Sequence, residues 1–334
     1  MEKYNWKKTE KKINKSNHFI CKIENLNIHF IYHKGKNPNS NPLLLTHGWP
    51  SSFIEYANII DKLVNPKKFG IKNSETFDVI IPSLPGFGFS GKPIKPIGPR
   101  KMARILNKLM TQVLGYKKYI AHGSDFGAHI ISWIGYDFPK YLIGIHINIL
   151  IVRHPDGPRT LKEKIWEKKF IKNQKKEDGY RTQQATKPQT LSYAMMDSPI
   201  GIAAWILEKI HGWSDKKNFN INKFSIKEIL ITNIMIYLVT KTFNTSTWIY
   251  YGRREEGGRS LPKTKLPIKV PTGVAQFPKE YLEWPPKSYV RRIYNLKHWT
   301  KMSRGGHFAA LEQPDLLIKD IIKFSNKLND LKKI

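Results

Sequence analysis

The run Tyr119-Ile120-Ala121-His122-Gly123-Ser124-Asp125-Phe126-Gly127-Ala128-His129-Ile130 passes from an apolar stretch to a small residue, a reactive side chain and a second small residue. This is the grammar of a nucleophile elbow, a sharp strand-to-helix turn that lifts one side chain above a sheet. A Cβ at Gly123 or Gly127 would crowd the turn or its neighbouring strand. The lifted residue is Asp125. A carboxylate has a reference pKa of about 3.9, so at neutral pH it is already ionised and attacks carbon without help from a base. The product of that attack is an alkyl ester on the protein, and its release requires an activated water. An ordinary turn with Asp125 capping the following helix fits the same residues, so the rest of the chain has to decide.

Reactive groups in an open parallel sheet lie beyond the carboxyl ends of the strands, and three further strand ends carry candidates. One gives His47-Gly48-Trp49-Pro50, one Phe277-Pro278-Lys279-Glu280, and the last Arg304-Gly305-Gly306-His307-Phe308. The order Asp125, Glu280, His307 is nucleophile, acid, histidine, as in the α/β-hydrolase arrangement. His307 is the natural base for the water. A carboxylate at Glu280 would fix the imidazole tautomer and stabilise its cation, with Glu283 a competing choice. The backbone N–H groups of Trp49 and Phe126 would form an oxyanion hole. His129, His146 and His298 are read as structural.

These positions need a particular frame. Phe19–Ile23 and Ile28–Tyr32 read as a hairpin, and Pro42–Thr46 and Phe77–Ile81 as buried strands. Ser51 or Ser52 would cap a helix reaching Leu63, with Ile54, Ala57, Ile60 and Leu63 on one face. Met102–Leu114 has helical spacing. The strand into Asp125, a helix to about Tyr136 and the strand Leu142–Leu150 follow. Strands alternating with helices predict an α/β fold, with a mostly parallel central sheet covered by helices on both faces. Between 151 and 261 the strand rhythm stops, and helices over Thr160–Lys172, Ile200–Gly212 and Ile226–Val239 suggest an inserted helical cap. The rhythm resumes at Pro267–Val274, with a helix near Lys287–Tyr294, a strand Leu296–Met302 and a last helix from about Gln313. The expected organisation is therefore a core over 1–150 (with a short leading segment, 1–18), a cap over 151–261, and the rest of the core over 262–334. The lysine-rich ends are expected to fray.

The chain has 334 residues and a formal net charge of +31, from 57 Lys and Arg against 26 Asp and Glu. Most of the excess is lysine scattered from end to end, and no nucleic-acid-binding motif accompanies it, so a solvated basic surface is expected and no nucleic-acid partner. One cysteine, Cys21, excludes an internal disulfide and a cysteine metal cluster. No apolar core marks Met1–Lys8 as a secretory signal. The strongest apolar stretches, Leu142–Val152 and Ile229–Val239, fall short of the roughly 20 residues of a membrane span. A reducing cytoplasmic setting, with no integral membrane association, is the expectation. The number of chains in the working assembly is left open.

Taken together, these segments resemble the epoxide hydrolases of the microsomal and juvenile-hormone type, within the α/β-hydrolase superfamily. The resemblance runs from Tyr4-Asn5-Trp6-Lys7-Lys8 nearly to the C-terminus. Its most specific segments are His47–Pro50, Gly86–Ser90, Gly123–Gly127, Gly179–Asp215, Val270–Pro278 and Gly305–Glu312. It implies that Asp125 opens an epoxide, that Glu280 rather than Glu283 is the relay acid, and that His307 activates water. It also implies that two cap tyrosines, matching Tyr180 and Tyr250, donate to the epoxide oxygen, with Tyr251 adjacent to the second. Trp49, Tyr180 and Tyr250 would then contact the substrate. The implied reaction takes a small epoxide and water to a vicinal diol, with no cofactor and no metal. A dehalogenase using the same aspartate, or a ligand-binding protein on a silent hydrolase scaffold, are the rival readings. The chain departs from the family pattern in carrying Gly252 where an acidic residue is common after the tyrosine pair. The charged insertion Arg253–Leu261 and the short cap before Tyr180 also depart from it, and the membrane anchor and most of the N-terminal meander of animal relatives are expected to be absent. These departures bear on substrate size and lid behaviour, not on the reaction.

Overall fold

In the computed structural model, residues 4–71 and 75–332 are described. Eight strands form one sheet: β1 (His18–Ile23), β2 (Leu26–His33), β3 (Asn41–Thr46), β4 (Phe77–Pro82), β5 (Tyr119–Gly123), β6 (Leu142–Ile147), β7 (Ile268–Gln276) and β8 (Tyr294–Lys301). Their order is β1-β2-β4-β3-β5-β6-β7-β8. The first two pairings, β1 with β2 and β2 with β4, are antiparallel; every later pairing is parallel.

The side-chain alternation of a strand puts neighbouring residues on opposite faces, and here it feeds two cores. Leu44, Ile80 and Ala121 join a cluster with Met102, Leu106, Ile130 and Ile134. Leu43, Leu45, Val79, Ile81 and Ile120 face the other way, onto Phe53, Leu63, Leu317 and Ile321. The helices Pro99–Lys108 and Asp125–Asp137 therefore cover one face, and Ile60–Val64 and Pro314–Lys332 the other.

Beyond β6 the chain leaves the sheet and builds a helical layer before β7. The expected helices are present as Leu161–Lys175, Pro199–Trp213 and Phe224–Val239. Thr160 and Glu163 form a capping box on the first of them. Three more, Asp178–Thr186, Pro188–Met196 and Phe243–Glu255, were not legible from periodicity. Two of these carry Tyr180 and Tyr250.

Other boundaries also differ from expectation. The helix expected from Ser51 or Ser52 to Leu63 is broken. Ser52 caps a 3₁₀ turn, Phe53–Tyr56, and α-helix resumes only at Ile60–Val64. The break follows from anchoring: the Tyr56 hydroxyl donates to the Thr46 carbonyl at 3.0 Å, and Glu55 is drawn under Ser124. Met102–Leu114 is α-helical only to Lys108 and finishes as a π-helical turn, Leu109–Val113. The first strand after the elbow ends at Ile147 rather than Leu150. The helix expected over Lys287–Tyr294 stops at Arg291, and β8 begins already at Tyr294.

The described part of the N-terminus does not fray. Asn5 caps a helix, Trp6–Ile13, that is held to the helical layer by Tyr4 on Thr232 at 3.2 Å and by Lys12 on Glu228 at 2.8 Å. Residues 1–3 and 333–334, also expected to fray, lie outside the described residues.

The charged insertion after Tyr250 is tied into this frame. A Cβ at Gly252 would overlap the backbone of Ile97 and Gly98, so the Tyr250 helix lies directly on that loop. Glu256 then accepts from the backbone N–H groups of Gly98, Arg100 and Lys101 at 3.2, 2.8 and 3.2 Å. Helix Pro99–Lys108 has no side-chain cap of its own and starts with two cations, so Glu256 supplies the anion its N-terminus lacks.

Candidate active site

β5 delivers the elbow. Ser124 N–H donates to the Thr46 carbonyl at 3.2 Å, and Asp125 follows with φ 44°, in the left-handed region a non-glycine residue rarely enters. A Cβ on Gly127 would overlap the Thr46 carbonyl, which is the close approach the sequence pattern called for. Asp125 is only 6 % exposed. The Trp49 N–H donates to its Oδ1 at 3.0 Å. A Cβ on Gly48 would sit 2.6 Å from the Phe126 nitrogen, so the turn that precedes Trp49 packs directly against the start of the elbow helix. The turn that aims Trp49 is braced by His47, whose Nε2 accepts from the Leu84 N–H at 3.3 Å. Burial pulls His47 down to about 4, which keeps that acceptor neutral.

The other oxygen of Asp125, Oδ2, lies 3.5 Å from His307 Nε2. His307 Nδ1 donates to both oxygens of Glu280, at 3.0 and 2.9 Å. Glu283 is elsewhere, paired with Lys169, so Glu280 is the carboxylate that reaches the imidazole. The loops carrying the two run side by side: Lys279 N–H donates to the Gly305 carbonyl at 3.0 Å. Burial on its own would strip the proton from His307. The two carboxylates outweigh it and push the imidazole up to about 10.

Tyr180 stacks on Trp49 at 5.4 Å between centroids, and Tyr250 meets Trp49, Phe126 and Tyr180 edge-on at 5.8, 4.7 and 5.7 Å. Burial and the Asp125 charge push Tyr180 up to about 12 and Tyr250 well above its usual range. Both phenols therefore keep their protons and are available as hydrogen-bond donors. The Tyr250 hydroxyl is buried with no hydrogen-bond partner among the described residues. Its neighbour Tyr251 is only partly buried and lies beside Arg254.

Four further residues serve this constellation without having been singled out from sequence. The Tyr281 hydroxyl contacts that of Tyr180 at 3.4 Å, and its ring stacks on Trp213 at 4.3 Å. Its signal was adjacency to Glu280. Glu312 accepts from the N–H groups of Asp215, Gly306 and Phe308 at 2.7, 2.9 and 2.9 Å, and Asp215 accepts from Gly305 at 2.9 Å. Together they clamp the histidine loop to the end of helix Pro199–Trp213. Glu55 lies beneath the elbow, 2 % exposed, accepting from the Ser124 hydroxyl at 3.3 Å, and burial pushes it up to about 7. A carboxylate inside the apolar run Phe53–Tyr56 was its signal. The histidines expected to be structural are buried: His146 Nε2 and His298 Nε2 share Asp320 at 3.0 and 2.9 Å, and His129 has no hydrogen-bond partner among the described residues.

Residues 1–56 match the family described as epoxide hydrolase N terminus, and residues 41–147 match the alpha/beta hydrolase fold. Epoxide hydrolase 1 of Oryctolagus cuniculus is 37% identical over 353 residues, spanning 96% of this chain and 76% of the relative. The chain belongs to the epoxide hydrolase family. Juvenile hormone epoxide hydrolase 2 of Ctenocephalides felis is 35% identical, over 98% of this chain and 75% of its own. Among solved structures, the juvenile hormone epoxide hydrolase of the silkworm Bombyx mori superposes with a TM-score of 0.86 at 31% identity. That match covers 99% of this chain and 83% of the other. The Aspergillus niger epoxide hydrolase superposes at 0.83 and 28%, over 98% and 82%. The chain is thus an epoxide hydrolase, a hydrolytic enzyme on an α/β-hydrolase fold. No helix among the described residues is long and apolar enough to cross a membrane.

Proposed function

We propose that this epoxide hydrolase works through a covalent ester on Asp125. One observation carries the reading: the two oxygens of Asp125 have different surroundings, Oδ1 held by the Trp49 N–H and Oδ2 turned toward His307. Oδ2 attacks a ring carbon while Tyr180 and Tyr250 donate to the ring oxygen. The C–O bond breaks, and the oxygen leaves as a hydroxyl with a tyrosine proton. Esterification removes the negative charge of Asp125, one of the two carboxylates that raise His307. The imidazole can then give up its proton, which returns to the tyrosine pair through the site, and act as a base. Neutral His307 takes a proton from water, and the hydroxide adds to the Asp125 carboxyl carbon. The N–H groups of Trp49 and Phe126 hold the resulting oxyanion; its collapse expels the product alkoxide, which takes the proton of the regenerated Asp125 carboxyl, giving the vicinal diol, ionised Asp125 and protonated His307.

In this reading residues 151–261 are the lid over a core formed by 1–150 and 262–334. The stacking of Tyr180 on Trp49 supports a lid that closes directly on the nucleophile. The single, unpaired Cys21 fits a reducing cytoplasm.

The test is diol formation from styrene, stilbene and aliphatic epoxides by wild type and Asp125→Asn. Turnover by wild type and none by the variant is the expected result. Turnover surviving in a variant shown to be free of deamidation would remove Asp125 from the role. Halide release from haloalkanes with no diol would favour the dehalogenase alternative.

A further inference from the structure

Behind Tyr250 lies a cavity of about 580 Å³, within the size range of small-molecule sites. Its lining is unusual for this chain. The basic excess is overwhelmingly lysine, yet the wall holds five of the 11 arginines (Arg153, Arg181, Arg253, Arg254 and Arg259) and no lysine. Glu167 is the only acidic residue of that wall among the described residues.

Little in the fold neutralises these cations. Arg181 pairs with Asp178, and Arg259 has only the uncharged Gln174 amide. Both terminal nitrogens of Arg153 are buried without a hydrogen-bond partner among the described residues; its guanidinium lies over Phe170 and Trp166 at 3.8 and 4.8 Å. Arg253 is 5 % exposed and makes no hydrogen bond or ion pair to a described residue. Its guanidinium rests 4.9 Å from the Phe126 ring and 5.4 Å from Tyr250. An aromatic face compensates a cation's charge in part but leaves the guanidinium edge, with its forked donors, unused. Burial, with repulsion from Arg259, pulls both Arg153 and Arg253 down to about 10. A planar fork in a concave site is suited to bidentate capture of a carboxylate or phosphate, which lysine cannot offer.

The position of Arg253 says where such an anion comes from. Its guanidinium borders the ring of Phe126, the residue after Asp125, and the ring of Tyr250, a proposed oxygen donor. We propose that this cavity is an anion subsite of the active site, and that the preferred substrates are epoxides carrying a carboxylate on a short chain. The inference rests on the epoxide-opening reading of Asp125, and it gives the charged insertion a function: three of the arginines come from it.

The experiment compares kcat/KM for terminal epoxy carboxylates, such as epoxyhexanoate and epoxyoctanoate, with their methyl esters, and uses styrene oxide as a neutral control. The expected result is a preference of about tenfold or more for an acid over its ester, with the acid-to-ester ratio falling toward one in Arg253→Gln and Arg259→Gln. General damage to the fold would lower both substrates together and leave the ratio intact. An ester turned over as well as its acid by wild type, or a ratio that survives both substitutions, overturns the proposal. Inorganic phosphate and acetate form a second arm. Competition with the epoxy acid that is lost in Arg253→Gln supports the subsite. An Arg253-dependent rise in melting temperature with phosphate, without any acid preference, assigns the cavity to a free anion and overturns the substrate assignment. Failure of every epoxide, styrene oxide included, would instead overturn the Asp125 reading and this inference with it.

Discussion

At the scale of single residues, the chemistry is set by which carboxylates carry charge. Glu280 and Asp125 push His307 up to about 10, and in the proposed scheme its proton is released once Asp125 is esterified. Replacing it with glutamine should leave the first half of the cycle running and stall the second. Mass spectrometry of His307→Gln mixed with epoxide should show the Asp125 peptide heavier by one epoxide, with steady-state turnover lower by about 10²–10⁴. An unmodified peptide at equal enzyme and epoxide would remove the ester from the scheme. Glu55 behaves in the opposite sense to a surface carboxylate. Burial raises it from 4.5 to about 7 in the folded protein, so between those values the folded state holds a proton the unfolded chain has lost. The stabilisation is complete below the unfolded value and is lost as pH rises through about 7. Glu55→Gln, which mimics the protonated form, should be more stable than wild type near pH 8 by about 1–3 kcal/mol in urea unfolding. That gain should vanish near pH 5. The positions of Asp125, Glu280 and His307 were legible because each lies beyond the carboxyl end of a strand with glycine or proline within two residues, and chain order did the rest. Tyr180 and Tyr250 were not: a tyrosine in a helical layer has no local signature, and only the family resemblance singled them out. Glu55, Glu312 and Asp215 act through backbone N–H groups or a hydroxyl brought in from other segments, which no local pattern reveals.

At the scale of elements, β3 to β6 were readable because strands buried on both faces are nearly continuous apolar runs. The helices Asp178–Thr186 and Phe243–Glu255 were not, because their buried faces are built from polar and aromatic residues such as Gln184, Ser246 and Thr247. Their stability comes from packing on neighbours rather than from an apolar stripe. The same reciprocity appears at helix Pro99–Lys108, whose first turn carries Arg100 and Lys101 and whose N-terminus is completed by Glu256 from the far end of the layer. Glu256→Ala leaves three N–H groups without that anion. It should cost about 1–2 kcal/mol in chemical denaturation; a change within error would mean that solvent replaces the carboxylate at no loss.

At the scale of the whole molecule, a net charge of +31 works against compaction. Ion pairs such as Arg104 and Lys108 on Glu24 relieve it only locally. Raising ionic strength from about 20 mM to about 500 mM should therefore raise the melting temperature by a few degrees. A flat or falling response would show that repulsion among the lysines does not limit stability. The overall charge and the α/β frame could be read from composition and rhythm, whereas the arginine cavity could not, since it gathers residues spread from Arg153 to Arg259. The sheet has a last consequence, for synthesis. β6 ends at Ile147, but its neighbour β7 begins at Ile268, after the entire helical layer. As the chain leaves the ribosome, an apolar strand edge next to β5 must wait, unpaired, for its partner to be translated. Folding of the sheet is thus a late, long-range event, and the waiting edge is where a nascent or truncated chain is most open to association with another copy.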